Sequence, residues 1–187
     1  MDRRPIGIDL FAGAGGMSLG FEQAGFDIAA AVEIDPIHAA VHHFNFPKTA
    51  VIARSIIGLS GDAVREVARI GRRTVDVVFG GPPCQGFSLI GHRMLVYPRN
   101  QLVKEFVRLV GELGARAFVF ENVKGLTIGR HRAFLDDLIG AFDEIGYRVR
   151  IPWKGLNARN YGVPQDRQRL FLLGTKKGWS GPTNPPA

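Results

Sequence analysis

One cysteine in 187 residues leaves this chain no partner for an internal disulfide, which suits a reducing compartment. No apolar run approaches the roughly 20 residues needed to cross a bilayer. The opening Met1-Asp2-Arg3-Arg4-Pro5 carries two arginines, but Asp9 and a glycine-rich stretch come too soon after them for a signal-peptide core to form. A cytoplasmic location is the expectation. Acids are in deficit, 17 against 24 lysines and arginines, and the net charge of +7 favours a polyanionic partner. Two nucleotide fingerprints are also missing. Counted from Gly13, the last glycine of a Gly-x-Gly-x-x-Gly dehydrogenase loop would fall on Ser18, and no phosphate loop with Gly-Lys-Ser/Thr occurs.

What is present reads as one domain with a substantial core, since 45% of residues are hydrophobic and 22% charged. Short apolar runs alternate with amphipathic stretches. Strands are predicted over 6–11, 28–32, 49–52, 75–79, 117–120, 147–151 and 169–173, and helices over 17–24, 36–44, 61–70, 100–113 and 132–145. This alternation predicts an α/β fold, a mainly parallel sheet with helices on both faces. Ligands of such sheets lie beyond the carboxyl ends of the strands. Gly13, Glu33, Pro83-Cys84 and Glu121-Asn122 all fall at those ends. No repeat or low-complexity tract is visible, and residues 178–187, with three prolines, read as a linker after a catalytic and cofactor-binding unit over 1–177.

Two segments carry chemistry on their own residues. Cys84 sits in Gly80-Gly81-Pro82-Pro83-Cys84-Gln85-Gly86-Phe87-Ser88, just past an apolar run, where a nucleophile at a strand's end would be placed. A lone cysteine is more often a buried small residue, so its neighbours must decide. Asp9-Leu10-Phe11-Ala12-Gly13-Ala14-Gly15-Gly16 comes after a strand and opens a helix, where glycines let backbone amides approach a ligand. Glu33 ends the next strand and is suited to ribose hydroxyls. A nucleoside-bearing ligand without a pyrophosphate fits this altered loop. The basic residues Arg148, Arg150, Lys154, Arg159, Arg167 and Arg169 cluster near the chain's far end.

The glycine loop, Pro83-Cys84-Gln85, Glu121-Asn122-Val123 and Gln165-Asp166-Arg167-Gln168-Arg169, taken in this order, resemble the signature motifs of the cytosine-5 DNA methyltransferases. The resemblance runs from Ile8 to about Thr175. It implies a Rossmann-like S-adenosylmethionine-dependent methyltransferase fold, double-stranded DNA as partner, DNA methylation in a restriction-modification setting, and association with the bacterial nucleoid. Cys84 would add to carbon 6 of a flipped cytosine, which makes carbon 5 nucleophilic. Glu121 would protonate ring nitrogen 3, and Asn122 would order the adjoining backbone. Arg169 would contact the cytosine edge or the thiol's surroundings, with Arg167 supporting site and phosphate. Base flipping costs a few kcal/mol, which a closing loop must offset, and Gln85, Ser88, His92 and Arg93 are candidate DNA contacts on it. For the cofactor the resemblance implies Phe11, Ala12, Gly13, Gly15 and Gly16 at the methionine end and Glu33 on the ribose. Ile34 would lie against adenine, Ser55 and Ile56 at its edge, and Pro82 and Leu102 as walls. No metal is implied.

The chain also departs from the family pattern. Ser55 stands where an acidic residue usually meets the adenine amino group, and Tyr97-Pro98 precedes Arg99 where an acid is common. Family members continue into a target-recognition region and a closing helix and strand, so a C-terminally truncated catalytic portion is expected, either as a truncated product or completed by a complementary chain as in split members. Two alternatives stay open: a catalytically weak cofactor-binding or regulatory module, and a tRNA cytosine-5 methyltransferase.

Overall fold

A computed structural model of the chain describes residues 3–83, 100–123 and 131–180. Five strands run parallel: β1 (Ile6–Leu10), β2 (Asp27–Glu33), β3 (Ala50–Ala53), β4 (Val77–Gly80) and β5 (Ala117–Val123). After them come β6 (Tyr147–Val149), β7 (Lys154–Asn157) and β8 (Gln168–Lys176). The sheet order is β3-β2-β1-β4-β5-β8-β6, and β7 pairs with the first half of β8. β8 is antiparallel to β5, β6 and β7. The strand order reverses between β1 and β4, and the crevice of such a sheet lies beyond the ends of those two strands.

The helices are α1 (Gly16–Gln23), α2 (Pro36–Asn45), α3 (Gly61–Val67), α4 (Gln101–Leu113) and α5 (His131–Glu144). α4 shows why such segments form. Val103, Phe106, Val107, Val110 and Leu113 recur at helical spacing and are buried, and Gly114 ends the helix in the left-handed region at φ 59°. α2 opens on Asp35, whose carboxylate accepts from the amides of Ile37 and His38, with Pro36 in the first turn.

Burial explains the layering. All five residues of β1 are buried, as a central parallel strand requires. Ile8, Leu10, Phe118 and Phe120 join Val64, Phe106, Phe134, Leu138 and Phe142 in one large core, with Phe118 stacked on Phe142 at 3.8 Å. On the opposite face Ile28, Val77 and Phe79 pack under Met17 and Phe21 of α1, and Phe21 stacks on Phe79 at 3.9 Å. Toward β5 and β8 this second face thins out. Val119, Phe171 and Leu173, which point away from the large core, are only half-buried.

The predicted strands and helices are all present, with ends moved by a few residues. β5 is three residues longer than its apolar run because antiparallel pairing with β8 carries Glu121, Asn122 and Val123 into the ladder. β7 has no counterpart among the predicted strands. Lys-Gly-Leu-Asn has no alternating pattern and becomes a strand only because the edge of β8 supplies its hydrogen bonds.

Candidate functional site

The end of β1 sets the first half of the site. Phe11 takes a left-handed conformation, φ 66°, so that its amide and that of Ala12 both donate to the Val32 carbonyl at 3.0 and 3.1 Å. A non-glycine residue held there signals a loop fixed by its surroundings. The Gly13 amide donates to Glu33 at 2.8 Å, and the other Glu33 oxygen accepts from the Asp35 amide at 2.9 Å. The glycine loop and the acid at the end of β2 are therefore joined directly. Gly15 is buried at φ 97°, and a Cβ there would run into the Phe46 ring, so neither conformation nor space admits another residue.

The second half lies across β4 and β5. Glu121 lies just past the parallel part of β5, and Arg169 on β8 reaches it with Nε 2.9 Å from a carboxylate oxygen. Burial pushes the Glu121 carboxyl above its ordinary range, while the Arg169 and Arg167 charges and the Arg169 hydrogen bond pull it back. Gly81 makes room for this acid, since a Cβ there would lie 2.7 Å from the carboxylate. Next to it Asn122 is buried and donates through Nδ2 to the Pro82 carbonyl at 3.1 Å. That bond fixes the backbone one residue before Pro83, where the described part of this segment ends. The predicted backbone-ordering role of Asn122 thus has a partner and a distance.

The expected residues fall into two joined groups. Phe11, Ala12, Gly13, Gly15, Gly16 and Glu33 form the first, and Glu121, Arg167 and Arg169 the second. Ile34 beside Glu33 is 67% exposed, an apolar surface set next to an acid. The Ile56 side chain is buried in the large core, Leu102 packs against that core, and Pro82 is buried. Ser55 accepts from the Ile57 amide at 3.2 Å. Cys84, Gln85, Ser88, His92 and Arg93 lie outside the described residues.

Several contributors were not apparent from the sequence. Asn157 accepts from the Arg167 amide at 3.1 Å and donates to Asp166 at 2.7 Å, which shapes the approach to β8 and so places Arg167 and Arg169. Asp9, Ser18 and His42 form a buried hydrogen-bonded chain beneath the glycine loop. The basic cluster is gathered along one sheet edge, on and around β6, β7 and β8. Among the described residues no cluster of metal-ligating side chains occurs, and no helix is long and apolar enough to cross a membrane.

An acid joined to a glycine loop, with an exposed isoleucine alongside, matches the chemistry of a ribose diol, a small charged end group and an aromatic base. The residues present fit a nucleoside methyl donor. A half-buried carboxyl raised by burial and steadied by an arginine suits giving and regaining a proton.

Comparison with known proteins bears on the family and the fold. The family model described as C-5 cytosine-specific DNA methylase matches residues 6–185. Type II methyltransferase M.XorII of Xanthomonas oryzae pv. oryzae is 61% identical over 97% of this chain and 43% of its own length. Type II methyltransferase M1.HphI of Haemophilus parahaemolyticus is 45% identical over 91% of this chain and 46% of its own. Among solved structures, a prophage-encoded Escherichia coli protein assigned as a DNA modification methyltransferase superposes with a TM-score of 0.79 at 35% identity, covering 92% of this chain and 47% of that one. The chain thus spans under half the length of these relatives.

Proposed function

This chain belongs to the C-5 cytosine-specific DNA methylase family, and from that premise we propose that it is the catalytic portion of a DNA cytosine-5 methyltransferase using S-adenosylmethionine. Residues 1–177 form the catalytic and cofactor-binding unit, and 178–187 lead toward a target-recognition region. Its work is on double-stranded DNA in a bacterial cytoplasm, as part of restriction-modification. The observation that carries the reading is the Glu121–Arg169 pair at 2.9 Å, with Asn122 bonded to the carbonyl of Pro82, two residues before the lone cysteine.

The bound cofactor supplies an electrophilic methyl group on a sulfonium. Glu33, joined to Gly13, takes the ribose, and Ile34 packs on the adenine. The backbone of Phe11, Ala12, Gly15 and Gly16 would shape the methionine end, Ser55 and Ile56 would lie at the adenine edge, Ile56 through its backbone because its side chain is buried, and Pro82 and Leu102 would wall the pocket. The Cys84 thiolate adds to carbon 6 of a flipped cytosine while Glu121 gives its proton to ring nitrogen 3. That would leave an electron pair at carbon 5 facing the methyl group, and carbon 5 would take that group as the carbon–sulfur bond of the sulfonium breaks to leave a neutral thioether. Loss of the carbon 5 proton to solvent then restores the double bond and expels the thiolate, and nitrogen 3 returns its proton to Glu121. Arg169 holds Glu121 in place and Arg167 adds positive charge for phosphate. Gln85, Ser88, His92 and Arg93 contact the DNA.

A complementary polypeptide completes the enzyme. In support, the sheet face bearing Glu121 leaves Val119, Phe171 and Leu173 half-buried among the described residues. Such a thinly covered apolar face suits packing against more protein. The test is methyl transfer from labelled S-adenosylmethionine to DNA, by the chain alone and with a polypeptide matching the remaining length of M.XorII. Label at cytosine carbon 5, lost in Glu121→Gln, supports the reading. Cofactor binding without transfer in the reconstituted mixture moves the chain to a regulatory module, and label on tRNA alone moves it to an RNA enzyme.

A further inference from the structure

Asp9 lies on β1, Ser18 in the first turn of α1 and His42 on α2, and each is buried to within 1% of complete. Ser18 Oγ donates to Asp9 at 2.6 Å. A hydroxyl has one proton, so when Asp9 is ionised and takes it, the 3.1 Å contact with His42 Nε2 runs the other way, from the ring N–H to Oγ. His42 then carries its proton on Nε2, and its Nδ1 is left bare. Nδ1 indeed has no partner among the described residues. The serine sits between acid and imidazole and is sealed from solvent, so the trio is not a nucleophilic triad.

Its position suggests another task. α1 begins at Gly15, which has no side chain to cap the helix. Asp9 accepts from the Ser18 hydroxyl at the third helical position, and so holds the first turn of α1 from a neighbouring strand. α2 grips the same loop at two more points. Asn45 donates to the Ala14 carbonyl at 3.0 Å, and the Phe46 ring lies where a Gly15 side chain would be.

We propose that Asp9, Ser18 and His42 act as a buried positioning chain that fixes the shape of the 11–16 loop and ties it to α2, and so to Glu33. That the loop holds a methyl donor rests on the function proposed above. None of the three touches the ligand. They keep the glycine turn and the ribose acid in one register.

Amide hydrogen exchange and S-adenosylmethionine binding, measured on the whole chain with its complementary polypeptide, test this together. Ser18→Ala and His42→Phe should speed exchange at 13–18 at least tenfold and weaken binding about tenfold. His42→Gln, whose amide can still donate to Ser18, should stay within about twofold of the parent on both. A nitrogen-15 spectrum should find His42 in its Nε2–H form. Unchanged exchange and affinity in Ser18→Ala, or equal losses in His42→Gln and His42→Phe, would overturn the proposal. Glu33→Ala separates the two claims. If it leaves binding unaltered, the methyl-donor reading fails, and the exchange results still decide the positioning chain.

Discussion

Replacing Asp9 by asparagine should change how stability depends on pH. Burial raises the Asp9 carboxyl to about 7 from an ordinary 3.8, against hydrogen bonds from Ser18 that favour the ionised form, and Glu33 adds a smaller push upward. Between those two values the folded chain holds a proton that the unfolded chain has released. Stability therefore falls as pH rises through this window and levels off above about 7. A rise of roughly three pH units at about 1.4 kcal/mol per unit sets the cost of the ionised form near 4 kcal/mol. That figure is a ceiling, because the positive end of α1 favours the carboxylate. Burial also lowers the proton affinity of the neighbouring His42 ring, which favours the uncharged imidazole beside Asp9. Asparagine keeps an acceptor toward Ser18 and takes up no proton. Urea unfolding at steps from pH 4.5 to 8 should show Asp9→Asn gaining on the parent as pH rises. With a slope of about 1–3 kcal/mol per molar urea, the full effect is a midpoint shift on the order of 2 M. A difference between the two proteins that stays constant across this range would refute the reasoning.

Single contacts carry the other expectations. Glu121→Gln should lower methyl transfer by about 10²–10⁴-fold with an unchanged melting temperature, the range expected for losing a general acid. Removing the Arg169 charge (Arg169→Leu) should move the Glu121 titration upward, read by carbon-13 NMR of the carboxyl, because that charge now holds it down. Gly80→Ala drives a Cβ into the Leu10 carbonyl oxygen, so chemical denaturation should show a loss of at least about 1–3 kcal/mol. Tyr147→Phe deletes a buried hydroxyl lying 2.6 Å from the Ala115 carbonyl and 3.1 Å from that of Val110, and should cost about 1–2 kcal/mol by the same measurement.

Much of this architecture could be read in the amino-acid order because parallel strands are buried on both faces and leave plain apolar runs, as in β1 and β4. The strand-end positions of the candidate site were legible for a related reason: Gly13, Glu33 and Glu121 interrupt those runs where the sheet stops. What escaped was chemistry made by tertiary contact. Asp9, Ser18 and His42 come from three different elements, and nothing local links a polar residue in a strand to a histidine 33 positions later. Asn157 and β7 were hidden similarly, since their order comes from the loop before β8 and from its edge.

The account turns on Cys84 forming a covalent bond to the base it modifies. Duplex DNA carrying 5-fluorocytosine traps that bond, because fluorine cannot leave carbon 5 as the proton does. Incubated with S-adenosylmethionine and the complementary polypeptide, the chain should gain the mass of the oligonucleotide under denaturing conditions, and Cys84→Ser should not. An adduct of equal yield in Cys84→Ser, or none in the parent under conditions where cytosine is being methylated, would contradict it.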